Sequence, residues 1–492
     1  MTPGMRSGAK IAILTAALLS LAIPLAALAA SRGSAGPSAA AATPSFTRDV
    51  APIIADKCTG CHQTGGIAPF PLQTGRQISS KAPLIGAAVN VGVMPPWPPG
   101  RRSPAYVGQE ARTLTAPQRA TILAWAKAGG RIDGPARATP AAKPLEVRDG
   151  ETLLDLRLPS AYRPAAPSGV TDDYRCFLLD PKQSGDVSVT SARIDPGQPK
   201  VVHHVILFRV APAQVAAAKE LDASESGPGW SCFGGTRLPA TGSVGSFVDS
   251  LNDATWVSAW APGWGAGRLP DGTGVPLAAG SHLVMQVHYN LLNGRSPDRS
   301  HALLTVAPAS AALTPLRTIL MPGPVELACA RGEHGRLCNR NDALFELSRK
   351  YGSAAAFVPA GLLILCRGSA ANPNPSAVST CDRRITAPTT IYVVAGHMHL
   401  LGAAIRIELN PGTPKARVLL DIPSWDFHWQ NAYTLSKPVT AEAGDVVRVT
   451  CRHDVHKRTH GKHGIPRAPR YILWGEGTTD EMCVGILQVA RG

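Results

Sequence analysis

From about residue 148 onward, the chain is written in short apolar runs with polar breaks. The clearest are VVHHVILFRV, HLVMQVHYN, HALLTVAP, TTIYVVAGHMHL, AAIRIEL, ARVLLDI and DVVRVTC. Turn-forming clusters such as PDG, NPGTP and EAGD separate them. Short β-rich runs bounded by turn residues predict antiparallel sandwiches. The stretch 324–381 is less regular, with one helix expected around NDALFELSRKYG. There is no internal repeat.

Residues 46–134 have a different texture. The unit opens with FTRDVAPIIADKCTGCH and closes with LTAPQRATILAWAKAGG. In that last stretch Thr115 is a natural cap, Pro117 suits a first turn, and Gly129-Gly130 stop a helix whose inner face is Ile122, Leu123 and Ala126. PARATPAAKPLEV reads as a Pro/Ala linker, and SRGSAGPSAAAATPS as a flexible tether. Before it stand Arg6, Lys10, a long apolar run and Ala27-Leu28-Ala29, the pattern of a cleavable signal peptide over 1–30. An uncleaved anchor is the alternative, since the run is nearly long enough to span a bilayer. The expected order is therefore a signal peptide (1–30), a tether (31–45), a small helical domain (46–134), a linker (135–149) and a β-rich remainder.

Composition sharpens this picture. The 492 residues contain 44 Pro and 48 Gly, in keeping with turn-rich β domains. The formal charge of +15 is read as a solvated basic surface, usable by an acidic redox partner, because no basic-aromatic interleaving points to nucleic acid. Membrane contact is expected only if the N-terminal segment is retained. Ten cysteines in an exported, periplasmic or secreted chain imply disulfides. Sequence leaves their connectivity open; by proximity, Cys329 is paired with Cys338 and Cys366 with Cys381.

Two cysteines have another use. CTGCH places Cys58, Cys61 and His62 in the C-x-x-C-H pattern, in which two thiols bond a haem covalently and the histidine ligates its iron. A zinc site or a disulfide is the competing use. Met94, in VGVMPPWPPG, is the candidate sixth ligand, with core packing as its alternative. The pattern resembles small class I cytochromes c.

Further histidines fall inside the β runs. GHMHLLG carries His397 and His399 at i and i+2, on one face of a strand. VVHHVILF carries His203 and His204, LVMQVHYN carries His288, and TTDEMCVG carries Met482. A lone His-His pair is more often structural than ligating, and three histidines could equally hold zinc. Met398 is expected to face away into the core. His453, His456, His460 and His463 are expected in a solvated loop, and His282, His301, His334 and His428 receive no role.

Taken in order, the four motifs resemble the copper type II, ascorbate-dependent monooxygenases, which include peptidylglycine α-hydroxylating and dopamine β-monooxygenases. The resemblance covers about 165–492 and begins at VTDDYRCFL. It implies two antiparallel jelly-roll sandwiches, over 150–310 and 311–492, facing across a cleft, each with one copper ion. His203, His204 and His288 would hold the electron-donating copper. His397, His399 and Met482 would hold the copper at which O₂ is activated and a small substrate hydroxylated. It also implies a Cys451–Cys483 disulfide. Cys176 and Cys232 are then left for each other, a departure from the family. Where a peptide-hydroxylating relative uses arginine, asparagine and tyrosine to grip its substrate, this chain has Ala395, Val484 and Ile486, which implies a more apolar substrate. The expectation is a mainly β haem–copper monooxygenase with two coppers and one haem c, fed by ascorbate or a protein electron donor. The alternatives are a non-catalytic haem/copper electron carrier or copper-binding protein, or a cytochrome docked to a degenerate sandwich.

Overall fold

The computed structural model describes residues 43–64, 68–134, 145–166, 171–233, 235–238, 254–261, 267–460 and 468–492. The expected signal peptide, nearly all of the tether and most of the linker lie outside the described residues. Pro44–Gly492 form one unit, mainly β, built from several antiparallel sheets.

The regular elements described between residues 45 and 134 are all helical. Turns Phe46–Val50 and Ala51–Lys57 lead into the CTGCH segment, followed by Gly75–Ser80, Ala82–Asn90, Gln109–Arg112 and Ala116–Lys127. The last helix has the expected cap: the Thr115 side chain accepts from the Gln118 amide while the Gln118 side chain accepts from the Thr115 amide. Phe46, Ile54, Ile78, Ile122 and Trp125 close a small core between these helices.

The first sandwich pairs two sheets. One runs in the order Trp230–Ser231, Asp172–Leu179, His282–Asn290, Val202–Val210, Trp256–Trp260. The other runs Thr152–Arg157, His301–Pro308, Val187–Asp195, Thr273–Leu277, with Gly267–Arg268 and Thr314–Pro315 at its margins. Alternate side chains from both sheets, among them Phe177, Leu207, Met285, Ile194, Val275 and Leu304, form one core.

The second sandwich faces Arg317–Pro322, Cys483–Arg491, Thr389–Met398 and Ala432–Ala441 against Val378–Arg384, Val446–His453, Gly402–Leu409 and Arg417–Ile422. Met398 is fully buried in its core with Ile405, Ile407, Leu420 and Val449. Four disulfides are present: Cys176–Cys232, Cys329–Cys338, Cys366–Cys381 and Cys451–Cys483.

The irregular stretch holds two helices where one was expected. Arg340–Tyr351 is capped by the Asn339 side chain. Ser353–Leu365 follows at once, with Pro359 inside it. This second helix lacks a polar face, so no helical period marks it in the sequence. It is held instead by tertiary contact, with Leu362 and Leu363 buried while Phe357 and Ile364 stay exposed.

Candidate functional site

The His203-His204 pair poses a geometric problem, because neighbouring residues in a regular strand point to opposite faces. The strand solves it with a bulge. Val202 pairs with Tyr289 and His204 with His288, leaving His203 as the extra residue between them. The inserted residue re-aims the side chains, and the three imidazoles come together. The His204 Nδ1 lies 3.4 Å from the His203 Nδ1 and 3.3 Å from the His288 Nδ1. These three residues form a group whose ligand atoms lie within 4.8 Å of one another.

The ring orientations are set from outside. His288 Nε2 donates to Asp172 Oδ1 at 2.8 Å, and Thr478 Oγ1 donates to the same oxygen at 2.7 Å. That proton on Nε2 leaves the His288 Nδ1 lone pair facing the other two rings. Burial would raise the Asp172 carboxyl, but the hydrogen bonds from His288 and Thr478 hold it below its ordinary value. Tyr174, opposite His288 in the next strand, stacks on its ring at 4.1 Å. Burial, reinforced by the neighbouring imidazoles, pushes His203 and His204 well below the usual histidine range. Three clustered imidazoles with converging ring nitrogens suit a divalent metal of the copper–zinc class.

His397 and His399 stand at the end of the strand Thr389–Met398, their ring centroids 5.1 Å apart. Met482 is the residue before the strand Cys483–Arg491, and Met398 pairs with Cys483 there. All three line one cavity. His397 Nδ1 donates to Gln430 Oε1 at 2.6 Å, while the Gln430 amide donates to the Phe427 carbonyl. His399 Nδ1 donates to the Asp480 carbonyl at 3.3 Å. Both imidazoles therefore keep Nε2 unprotonated, and burial pushes His397 down to about 4. Two such nitrogens and a thioether form a donor set suited to Cu(I) and poorly suited to zinc.

Glu481 builds this corner. Its carboxylate is fully buried and accepts from the His399 and Met482 amides at 3.0 Å and from the Leu401 amide at 2.6 Å. His453 Nε2 adds contacts to Glu481 Oε2 at 3.5 Å and to the Met482 carbonyl at 3.4 Å. The expectation that His453 lies in a solvated loop is thus corrected. It ends the strand Val446–His453 and is buried behind Met482. His456 is exposed, and His463 lies outside the described residues. Sequence reasoning missed Asp172, Tyr174, Gln430, Glu481 and His453. Of these, Asp172 and Tyr174 stood within the quoted VTDDYRCFL, and Glu481 stood beside Met482 in TTDEMCVG.

Both sets open on one cavity of about 440 Å³, whose walls include His204, His397, His399 and Met482. The His204 and His397 rings are 6.5 Å apart. Phe427 spans the two sets, stacked on His203 at 4.6 Å and lying 5.9 Å from His399. Trp256, Trp260, Tyr351, Leu362, Ala395, Val484 and Ile486 make most of the remaining wall apolar. Glu476 also lines it, its carboxyl pushed up to about 7 by burial and by Asp480.

In the helical module, Cys58 and Cys61 are free thiols in a chain whose other eight cysteines are all paired. Burial pushes Cys58 up to about 12. His62 Nδ1 donates to the Phe70 carbonyl at 3.0 Å, which leaves Nε2 free to ligate. Two unpaired thiols beside an oriented imidazole fit covalent haem. Met94 is half-buried in the loop after Ala82–Asn90.

Residues 372–488, which carry His397, His399 and Met482, match the family model "Copper type II ascorbate-dependent monooxygenase, C-terminal domain". The match supports this copper-dependent family for the second sandwich. No curated protein matches the chain. Among solved structures, the major capsid protein P2 from Bacteriophage PM2 is 10% identical, over 69% of this chain and 97% of that one, with a TM-score of 0.23. A Paenibacillus xanthan lyase is 12% identical, over 73% of this chain and 28% of that one, with a TM-score of 0.16.

Proposed function

We propose that this protein is an exported copper monooxygenase carrying a covalent haem c, and that it hydroxylates a C–H bond of an apolar small molecule with O₂. The observation that supports this most is the shared cavity, into which two metal-ligand sets of different chemistry open within reach of one substrate-sized space. In this reading His203, His204 and His288 hold one copper and His397, His399 and Met482 the other, while Cys58, Cys61, His62 and Met94 hold the haem. Bound copper supplies one-electron chemistry and O₂ activation.

The chain's own residues do the rest. Asp172 and Gln430 fix the tautomers of His288 and His397, so that lone pairs rather than protons face the metals. Glu481 fixes the backbone on either side of the second set. The apolar wall excludes water from the reacting C–H bond. Ala395, Val484 and Ile486 line the cavity, consistent with an apolar rather than a carboxylate-bearing substrate. Four disulfides fit an oxidising, extracellular or periplasmic compartment. Ascorbate or a reduced redox protein supplies electrons.

The test is a substrate screen under isotope-labelled O₂ with mass-spectrometric detection, run with copper-loaded protein and ascorbate. The proposal predicts one labelled oxygen per product molecule, lost in Met482→Ala. Copper that cycles between its redox states without substrate-dependent O₂ uptake would instead support the electron-carrier alternative.

A further inference from the structure

Residues 97–107 leave the helical module's own core and fasten it to the second sandwich. The Gly100 amide donates to the Asp421 carbonyl at 2.8 Å. Ser103 Oγ donates to that carbonyl and accepts from the Asp421 amide. The Tyr106 hydroxyl donates to the Leu419 carbonyl at 2.8 Å. Tyr106 pairs with Leu435 as a single antiparallel rung, flanked by Val107 N to Thr434 O and Ser436 N to Ala105 O. Tyr106 is 4% exposed and belongs to the core of the second sandwich, with Trp97 packed against it.

The aromatic rings at this seam form a chain. Trp97 meets Tyr433 edge-on with centroids 5.6 Å apart, and Tyr106 at 6.2 Å; Tyr106 and Tyr433 are 5.1 Å apart. At one end, Trp97 follows the candidate iron ligand Met94 by three residues, with Pro95 and Pro96 between them. At the other, Tyr433 lies opposite Val394 on the strand that carries His397. Gln430, three residues before Tyr433, hydrogen-bonds His397 at 2.6 Å.

We propose that Trp97, with Tyr433 and Tyr106, conducts electrons from the helical module to the His397/His399/Met482 site through Gln430. This rests on the functional reading above, in which both haem and copper are bound. It makes the second set, rather than His203/His204/His288, the electron entry point from the haem. The step is a single-electron transfer: ferrous haem becomes ferric, one cupric ion becomes cuprous, and no bond forms or breaks. Ascorbate or a reduced redox protein then returns the haem to the ferrous state, and two such cycles supply one turnover. Hydrogen bonds from Gly100 to Val107 dock the module. Rings in contact between two redox sites add a path of polarisable groups in place of saturated side chains.

The test uses the full chain with haem and Cu(II) bound. The haem is reduced anaerobically with less than one equivalent of reductant. Its reoxidation is followed by stopped-flow absorbance, and loss of the Cu(II) signal by freeze-quench paramagnetic resonance. In the wild type, haem oxidation and copper reduction should match one for one. Trp97→Leu should slow this transfer by about an order of magnitude or more, a loss of at least about 1.4 kcal/mol in the activation free energy. Trp97→Phe should restore most of the rate. Haem spectrum, copper content and direct copper reduction by ascorbate should stay unchanged in both. His397→Ala should abolish the fast phase. Should Trp97→Leu disturb the haem spectrum, Tyr433→Leu probes the same path from the other side. Wild-type rates in both leucine variants, or a fast phase that survives His397→Ala, would overturn the proposed path alone. Wild-type protein that binds no haem or no copper, or whose haem is never reoxidised, would overturn the functional reading itself.

Discussion

Glu481 offers the sharpest mutational test of how the second site is built. In Glu481→Gln the side chain keeps its size but has one oxygen where the carboxylate has two. Oε2 now serves the His399 and Met482 amides, and Oε1 serves Leu401. Whichever way the carboxamide turns, at least one buried N–H faces an NH₂ group. An orphaned buried donor costs about 1–3 kcal/mol, and each surviving bond loses its charge assistance, roughly another 1 kcal/mol. The sum is about 3–5 kcal/mol, a large part of the 5–15 kcal/mol or so that keeps a domain folded. For a sandwich of this size, that lowers the melting temperature by roughly 5–15 °C. Calorimetry on metal-free protein measures this term without copper. Copper analysis on loaded protein should then show the second ion lost or weakened and the first retained. A metal-free Glu481→Gln protein that melts within about 2 °C of wild type and still binds both coppers tightly would refute the role assigned to Glu481.

Three further outcomes are expected. His288→Ala should lose the copper of the first set, and Asp172→Asn should weaken it by about 10–100-fold, the usual effect of removing a ligand's orienting partner; metal titration checks both, and an unchanged Asp172→Asn affinity would show that the tautomer is fixed elsewhere. Cys58→Ser should leave only one thioether attachment, which the pyridine haemochrome spectrum would report; an unchanged spectrum would mean that Cys58 does not bond haem. Glu476 carries a carboxyl raised to about 7 from an ordinary 4.5, so between those values the folded state keeps a proton that the unfolded state has released. Its contribution to stability is therefore lost as pH rises from about 5 to 7, by no more than about 3 kcal/mol. Glu476→Gln should flatten that part of the stability–pH curve, and an identical slope would contradict the assignment.

Much of the candidate site was legible because its residues sit in or beside strands whose own pattern is strong. The run around His288 and the i, i+2 spacing of His397 and His399 carry their geometry locally, as do the CTGCH motif and the cap at Thr115. What could not be read depends on pairing. The bulge at His203 exists only in the register between two strands, so nothing in VVHH announces that both rings turn the same way. Glu481 looks like an ordinary acid until the backbone amides of a strand end some 80 residues earlier converge on it. His453 was misjudged because its sequence neighbours are polar, whereas it is buried against Glu481 and Met482, which precede a strand of the facing sheet. The helix Ser353–Leu365 was missed because an apolar sequence interrupted by Pro359 has no polar face to reveal its period. The seam from Trp97 to Val107 reads as a Pro-rich loop; its partner strand lies more than 300 residues away.

The claim on which the whole account rests is the pairing of one haem with two coppers of unlike ligation in a single chain. The most direct measurement is elemental analysis combined with haem quantification, on the full chain, purified, copper-loaded and freed of loosely held metal. The account predicts about two copper ions and one covalent haem per chain, with Met482→Ala falling to about one copper and His288→Ala falling to about one by loss of the other. Zinc in place of copper, a single copper in the wild type, or haem that extracts into acid solvent would contradict it.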